Sequence, residues 1–368
     1  MDSNACPISG SIYSGIGGQA VMEGVMMRNK DDYAVAVRRA DGEIVVKKGE
    51  YHGVIGNKTL YKIPVIRGIL SFVDSLVLGM STLNFSSDVY MQGEEEMNKT
   101  ADEEPGETPG KVSDEGFNDA DKGSDLISAK KSTGDTIQSV IITVVAVILA
   151  LGLFMVLPYL VSLIFKPFLG EGIVLSLIEG LIRIIIFIAY IKLISMMEDI
   201  KRVFMYHGAE HKCINCLEAG LPLTVENVKK ASREHRRCGT SFLLYVMVIS
   251  IIFFAFIQTD VRILKLVMRI ILIPVIAGVS YEFIRLAGRS DNPVVKAVSK
   301  PGLWLQKMTT REPDEKMIEI GIRSVEEVFD WKEFLVKNFK TSEVPCVEQP
   351  GESSEEQHIE QPGESLLE

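Results

Sequence analysis

The sequence predicts a mainly α-helical, polytopic membrane protein with about four transmembrane helices and a small cytoplasmic β-rich unit at its N-terminus. The chain has 368 residues, of which 47% are hydrophobic. Long apolar runs lie between Ile137 and Arg285, whereas acidic low-complexity runs lie outside that region. Apolar runs of about 20 residues are long enough to cross a bilayer. We therefore expect the lipid bilayer to be the main partner, and the formal net charge of -10 argues against nucleic acid.

Residues 12–62 are predicted to form the cytoplasmic β-rich unit. The segments 33–39 and 43–48 alternate apolar and polar residues and are joined by Ala40-Asp41-Gly42. Asp-Gly tolerates the positive φ angles of a tight turn, so these two segments predict a β-hairpin.

The next segment, 64–91, is predicted to be a helix that begins after Pro64. Asp74 interrupts its apolar run, so the segment is a marginal span. We expect an interfacial or membrane-associated helix here, with a transmembrane helix as the alternative. Residues 92–135 and the tail 341–368 are acidic and poor in large apolar groups. Such stretches cannot bury enough surface to offset their chain entropy, so both are predicted to be disordered.

Four apolar runs define a transmembrane helical domain at 136–290. The predicted spans cover residues 137–165, 173–195, 241–257 and 263–284. Glu179 and Arg183 lie four residues apart in the second span, so they share one helix face and can pair within the membrane.

The orientation of these spans follows from the positions of Lys and Arg. The loop 196–240 and the segment after Arg285 are rich in both residue types, whereas the connections 166–172 and 258–262 are not. The positive-inside rule places the loop, both termini and the C-terminal segment 291–340 in the cytoplasm of a multi-pass cell-membrane protein.

The loop 196–240 carries the residues with the clearest chemical meaning. His207 and His211 are four residues apart, and Glu210 precedes the second histidine. On a helix the two imidazoles can chelate one divalent metal, with zinc expected, while the carboxylate takes a proton from an activated water molecule. The pattern H-x-x-E-H is also the signature of inverted zinc peptidases.

The third metal ligand is predicted to come from the end of the same loop. His235 and Cys238 directly precede the third span, and a short helix capped by Thr224 would return them towards the two histidines. Either side chain can supply the third ligand, and Glu218 is a further option.

A second interpretation uses the cysteines. Cys213 and Cys216, with His235 and Cys238, provide four ligands at zinc-like spacing. That site would be closed and structural, without an open position for water. In a third interpretation these residues bind no metal, and they cap helices and form hydrogen bonds at the membrane surface. These three interpretations stay open at the level of sequence.

A second unusual patch lies near the N-terminus, in Gly17–Arg28. Its paired glycines permit close approach of the backbone to a neighbour, and Glu23 and Arg28 could reach the metal loop from the same side. A tight turn with core packing is the alternative. Three basic residues lie beside the metal motif in the sequence, namely Lys212, Arg236 and Arg237. Their positive charges could hold an anionic substrate or a lipid headgroup.

These motifs resemble those of the YqhQ-like bacterial membrane proteins, a family of unknown function described as candidate metal-dependent enzymes. The resemblance covers about residues 12–325 and rests on GGQAVMEGVMMR (17–28), PVIRG (64–68), YHGAEHK (206–212), RCGTSF (237–242) and PGLWLQKMTTREP (301–313). It implies an integral membrane protein with a metal site at His207, Glu210, His211 and His235. Arg236 departs from the family, which usually has Pro there.

Two functions fit these observations best. The first is a divalent-metal-dependent hydrolase at the cytoplasmic membrane face, with Glu210 as the general base. The second is a non-enzymatic accessory factor of a membrane protein complex, or a homo-oligomer, in which a structural metal or a polar cluster stabilises a docking surface. Transport ranks third, because four spans without a visible inverted repeat are few for a carrier.

Overall fold

The structure is a computed structural model that describes residues 12–56, 59–102, 133–170, 172–257, 259, 261–288 and 292–339. Within these ranges the side chains of 97–102, 133–140 and 262 are not described. The predicted disordered tail 341–368 and most of the predicted linker 92–135 lie outside the described residues.

The N-terminal unit is a four-stranded antiparallel sheet in the order β1-β2-β3-β4. The strands are β1 (Gly17–Val21), β2 (Gly24–Asn29), β3 (Asp32–Arg38) and β4 (Ile44–Glu50). The predicted hairpin is confirmed, because β3 pairs with β4 across a turn in which Gly42 has a φ of 95°. The first two strands come from the glycine-rich patch, for which the sequence indicated only a tight turn or a close approach.

Helix α1 (Ile66–Asp102) begins two residues after Pro64 and is longer than its prediction. Its last residues, 92–102, belong to the predicted disordered linker but are helical in the structure. Leu78 and Val89 pack against the apolar face of the sheet, and Arg39 of the sheet pairs with Glu96. The sheet and this ion pair therefore stabilise the beginning of a helical extension that its acidic composition alone disfavours.

The remaining apolar helices form a bundle. They are α2 (Thr133–Leu151), which continues through a π-helical turn into α3 (Leu157–Ser162) and α4 (Lys166–Leu169), then α5 (Ile173–Ile194), α8 (Gly239–Ala255) and α9 (Arg262–Ala287). Among the described residues, four helices are long and apolar enough to cross a membrane, and they cover Ile66–Glu96, Ile141–Leu169, Ile173–Ile194 and Ile263–Ala287. Helix α8, the predicted third span, is apolar but shorter than these four helices, whereas α1 is long enough and apolar enough to be a candidate span.

Glu179 and Arg183 form the predicted pair, and a third residue joins them. Arg183 donates to Glu179 at 2.9 Å, while Arg269 of α9 makes two bonds to the same carboxylate at 2.6 and 2.7 Å. All three side chains are buried. These hydrogen bonds connect α5 to α9. Arg269 belongs to a different helix from Glu179 and Arg183, so the residue spacing within α5 could not predict its participation.

The polar helices cover the open side of the bundle and the sheet. They are α6 (Glu198–Glu218), α7 (Val225–Lys230), α10 (Pro293–Thr309), α11 (Glu315–Glu326) and α12 (Trp331–Phe339). Thr224 caps α7 as predicted, because its hydroxyl accepts a hydrogen bond from the Asn227 N–H. One apolar core lies between α6, α11 and the sheet and includes Tyr206, Met27 and Ile318.

Candidate metal centre

Helix α6 presents two histidines on one buried face. A turn at residues 195–197 interrupts the helix between α5 and α6, so α6 is a separate helix, which packs against α11 and the sheet. Gly208 permits close contact with Arg311, because a methyl group there would lie 2.0 Å from the Arg311 carbonyl oxygen. His207 lies against Thr309 at the end of α10 and His211 against Arg233 in the loop before α8, with their ring centroids 4.4 Å apart.

Cys238 completes a group of three possible ligands. It is the N-cap residue of α8, and its Sγ lies 3.1 Å from His207 Nε2. One ligand atom from each of His207, His211 and Cys238 lies within 4.8 Å of the others, and all three residues are buried. Two imidazoles and one thiolate suit zinc, whose catalytic sites commonly have three protein ligands.

The histidine tautomers favour metal binding. His207 Nδ1 donates to the Thr309 carbonyl at 2.8 Å, and His211 Nδ1 donates to the Arg233 carbonyl at 2.6 Å. In the neutral rings each Nε2 therefore carries a lone pair, and metal-binding histidines usually donate their other N–H in this way. His211 Nε2 is buried without a hydrogen-bond partner among the described residues. An orphaned acceptor beside a thiol is the observation expected of a metal ligand.

Glu210 lies beside this group and is itself nearly inaccessible, with 5% of its surface exposed. Its Oε2 has no hydrogen-bond partner among the described residues. Burial raises the pKa of Glu210, although the nearby imidazoles oppose that shift. A raised carboxyl pKa brings a general base closer to neutral pH, where proton transfer is most efficient.

Cys238 and His207 shift each other's pKa towards the charged forms. Burial opposes a charged thiolate, but His207 and His211 lower the pKa of Cys238 well below its usual value. Burial likewise opposes a charged imidazole, but the Cys238 sulfur raises the pKa of His207 to about 9. The lowered pKa of Cys238 favours the thiolate, which is the form of cysteine that binds metal.

His235 lies next to the ligand group but outside it. Its ring centroid is 5.6 Å from that of His211, and its Nε2 lies 3.3 Å from the Arg237 guanidinium and 3.8 Å from the Glu218 carboxylate. Glu218, the further option for a ligand, pairs with Arg237 and accepts hydrogen bonds from Ser14. Of the two predicted third ligands, the structure brings Cys238 rather than His235 to the histidine pair, because the Arg237–Glu218 pair engages the His235 ring.

The four residues of the closed zinc site are not brought together among the described residues. Cys213 and Cys216 are buried in the apolar core of α6, and Cys216 Sγ faces the carbonyl oxygens of Leu221 and Pro222. On a helix, residues 213 and 216 point away from the face shared by 207 and 211. Burial raises the pKa of both thiols, so they behave as apolar core residues.

The N-terminal patch reaches α6 through Glu23. Its carboxylate pairs with Arg202 and accepts a hydrogen bond from Tyr206, the residue before the first histidine. Arg28 stays within the sheet unit, where it donates to the Lys30 and Tyr51 carbonyl oxygens. Glu23 therefore supports the helix that carries the ligands, whereas Arg28 does not reach it.

Residues of α10 hold the site together, and the spacing of the metal motif did not indicate them. Gln306 accepts from the His235 N–H at 2.8 Å and donates to the His235 carbonyl at 2.6 Å. The Thr309 carbonyl orients His207. Both residues belong to the segment PGLWLQKMTTREP, so the family resemblance was the available signal. Lys212, predicted to hold an anion, is buried and donates instead to the carbonyl oxygens of Lys229 and Ala231.

Comparison with known proteins identifies relatives but no activity. Residues 63–331 match the family model described as "Protein of unknown function (DUF1385)". The chain is 36% identical over 330 residues to "Uncharacterized protein YqhQ" of Bacillus subtilis (strain 168), an alignment that covers 89% of this chain and 96% of that protein. No solved structure matches. The chain therefore belongs to the DUF1385 family of proteins of unknown function.

Proposed function

We propose that this protein is a membrane-bound, zinc-dependent hydrolase whose centre is formed by His207, His211 and Cys238. The observation that carries the proposal is the paired orientation of the histidines. Both donate Nδ1–H to backbone carbonyl oxygens and present Nε2 to one sulfur. Three protein ligands leave the fourth tetrahedral position open, as catalytic rather than structural zinc sites do.

The metal and the residues around it have different roles in the proposed reaction. A divalent metal supplies a Lewis acid that activates a water molecule. Glu210 is the general base, because its unpartnered carboxylate oxygen lies beside the ligands and burial raises its pKa. Thr309 and Arg233 hold the imidazole rings in place through their carbonyl oxygens.

The site is proposed to lie at the cytoplasmic membrane face. Cys238 caps α8 and the ligand helix follows α5, so the centre adjoins the ends of two apolar helices. Helix α1 fits an interfacial position, since one side packs on the sheet and the other exposes an apolar stripe formed by Val73, Leu76, Val77, Met80 and Leu83. This arrangement supports the predicted cytoplasmic placement of both termini and the lipid bilayer as partner.

Metal stoichiometry of the full chain purified in detergent tests the centre. We expect about one zinc per chain for wild type and for Cys213→Ala, because Cys213 lies in the apolar core. His207→Ala and Cys238→Ala should lose the metal. Equal zinc content in all four proteins, or loss with Cys213→Ala alone, would contradict the proposed ligand set.

The open coordination position needs a separate measurement. Cobalt can replace zinc, and its visible absorption reports the coordination sphere. We expect acetohydroxamate to change the spectrum of the cobalt-substituted protein, since an added ligand can enter a three-ligand site. An unchanged spectrum at saturating acetohydroxamate would show a closed site and exclude the hydrolase.

Deep burial of the ligands favours a second function, that of an accessory factor in a membrane protein complex. His211 is 1% exposed and Glu210 is 5% exposed, so access to the centre requires a local opening. If the metal is structural, cells that carry Glu210→Gln will behave as cells with the wild-type protein do, in contrast to cells that lack the protein. Cross-linking will then recover a stoichiometric partner or a homo-oligomer. Loss of the phenotype with retention of metal would favour the hydrolase.

A further inference from the structure

A basic cleft lies between α1, α9 and the loop that precedes α8, beside the candidate metal centre. It has a volume of about 300 Å³ and is lined by Tyr13, Tyr61, Arg67, Ser71, Arg237, Tyr281 and Arg285. Its walls come close together because Gly68 of α1 faces Gly278 of α9, where a methyl group on Gly68 would lie 2.6 Å from the Gly278 carbonyl oxygen. The cleft is at the small end of the range for ligand pockets.

The cleft carries more positive charge than its carboxylates offset. Glu282 is paired with Arg67, and Glu218 is paired with Arg237. Arg285 is half-buried; it interacts with Glu282 through charge, but it donates no hydrogen bond among the described residues. Three guanidiniums therefore face two carboxylates, which leaves one positive charge and its donors available to an anion.

The position of the cleft connects it to both the membrane and the metal. Arg67 lies at the start of α1 and Arg285 near the end of α9, where a candidate span ends. Arg237 lines the cleft, and the next residue in the sequence is Cys238 of the ligand group. The cleft and the ligand group are therefore adjacent along the chain. Gly288 accommodates this arginine, since a methyl group there would lie 2.3 Å from Arg237 Cγ.

We propose that this cleft binds a phosphate-bearing group, with Arg285 as its main unpaired donor, and presents the attached molecule to the metal centre. Guanidinium groups match phosphate geometry through paired hydrogen bonds, and Arg67 and Arg285 lie near the ends of candidate membrane spans. The substrate class is then a phosphorylated compound, either a phospholipid or a soluble phosphate ester. The catalytic role rests on the proposed function, whereas phosphate binding does not require the metal.

Calorimetric titration of the full chain in detergent tests the proposal. The ligands are dihexanoylphosphatidate, glycerol 3-phosphate and dihexanoylglycerol, which share parts of one skeleton but differ in the phosphate and the acyl chains. The variants are Arg285→Gln, which removes the unpaired charge, and Lys300→Gln, which removes a matched charge from an exposed position of α10. Gly288→Ala provides a second variant that displaces Arg237 without changing charge.

We expect Arg285→Gln to weaken phosphatidate binding about tenfold or more, the effect of losing a charge-assisted hydrogen bond. Gly288→Ala should act in the same direction, and Lys300→Gln should bind as wild type does. Tighter binding of phosphatidate than of glycerol 3-phosphate identifies a lipid headgroup as the source, whereas equal binding identifies a soluble ester.

Two results would overturn the proposal, and neither depends on the metal. The first is unchanged affinity in Arg285→Gln, and the second is equal binding of dihexanoylglycerol and dihexanoylphosphatidate. Zinc content is measured on the same samples. A cleft variant that keeps zinc but loses phosphate binding supports the cleft, while a wild-type protein without zinc that still binds phosphatidate contradicts only the proposed hydrolase.

Discussion

Gly18 lies directly against Glu210, because a methyl group on Gly18 would come within 2.8 Å of Glu210 Cγ. Strand β1 therefore covers the carboxylate that we propose as the general base. The same methyl group would lie 2.8 Å from the Met26 carbonyl oxygen and from Met27 Sδ. No side chain fits there, so the glycine allows the sheet to pack directly against Glu210.

Gly18→Ala should destabilise the protein and displace Glu210. Overpacking of this kind costs about 1–3 kcal/mol, measurable as a lower unfolding temperature in detergent. Gly17→Ala is the matched control, because its added methyl group would meet nothing within 4 Å. That variant should be neutral or slightly more stable, since alanine has less chain entropy to lose. Equal destabilisation by both substitutions would argue against the close approach.

Glu210→Gln should leave the zinc content unchanged and should not lower stability. The substitution keeps the shape of the side chain but removes a buried charge whose Oε2 has no partner among the described residues. If the protein is a hydrolase, turnover should fall about 10²–10⁴-fold, the usual contribution of a general base. Loss of zinc instead would assign Glu210 as a ligand.

Glu218 should make stability depend on acidic pH. Burial opposes its charge, but His235, Arg237 and the Ser14 N–H together lower the pKa of Glu218 to about 2, below about 4.3 for an unfolded glutamate. The stabilisation is therefore present above about pH 4.3 and is lost as the pH falls towards 2. Its size is on the order of 3 kcal/mol.

The check is the unfolding temperature of wild type and Glu218→Gln between pH 2 and pH 7. Glu218→Gln should be less stable near neutral pH and should lose less stability on acidification. Glu226→Gln, which alters an exposed glutamate in α7, should keep the wild-type profile. A Glu218→Gln profile parallel to that of wild type would contradict the role of this carboxylate.

Removal of Glu179 should destabilise the helix bundle strongly. Glu179→Gln leaves Arg183 and Arg269 buried and adjacent without a compensating carboxylate, which costs about 3–5 kcal/mol in comparable buried pairs. The double variant Glu179→Gln/Arg269→Gln should recover part of that loss, because one unpaired charge is gone. Additive losses in this double-mutant cycle would show that the two residues do not interact.

Local patterns predicted much of the fold, because the relevant contacts are local. The β3–β4 hairpin follows from Asp41-Gly42, and the Thr224 cap follows from its position before a short helix. The helical extension of α1 to Asp102 was not predictable in this way. It depends on the sheet, whose contacts with the helix join residues distant in sequence.

The metal centre was predictable in part for the same reason. The histidine pair on α6 was evident from helical spacing. The choice between His235 and Cys238 depended on which side chain Arg237 and Glu218 would engage. The backbone carbonyl of Thr309 has no signature in sequence, since every residue has one, and only the return of α10 brings it to His207.

The positions of the ligand group in the sequence determine when it can be assembled during synthesis of the chain. The two histidines belong to α6, Cys238 is the N-cap residue of α8, and Thr309 is the last residue of α10. Thr309 must therefore leave the ribosome before its carbonyl oxygen can hold the His207 ring. By then α5, α8 and α9 have already been made. If the proposed function is correct, metal loading is therefore a late step of biogenesis that follows membrane insertion of these helices.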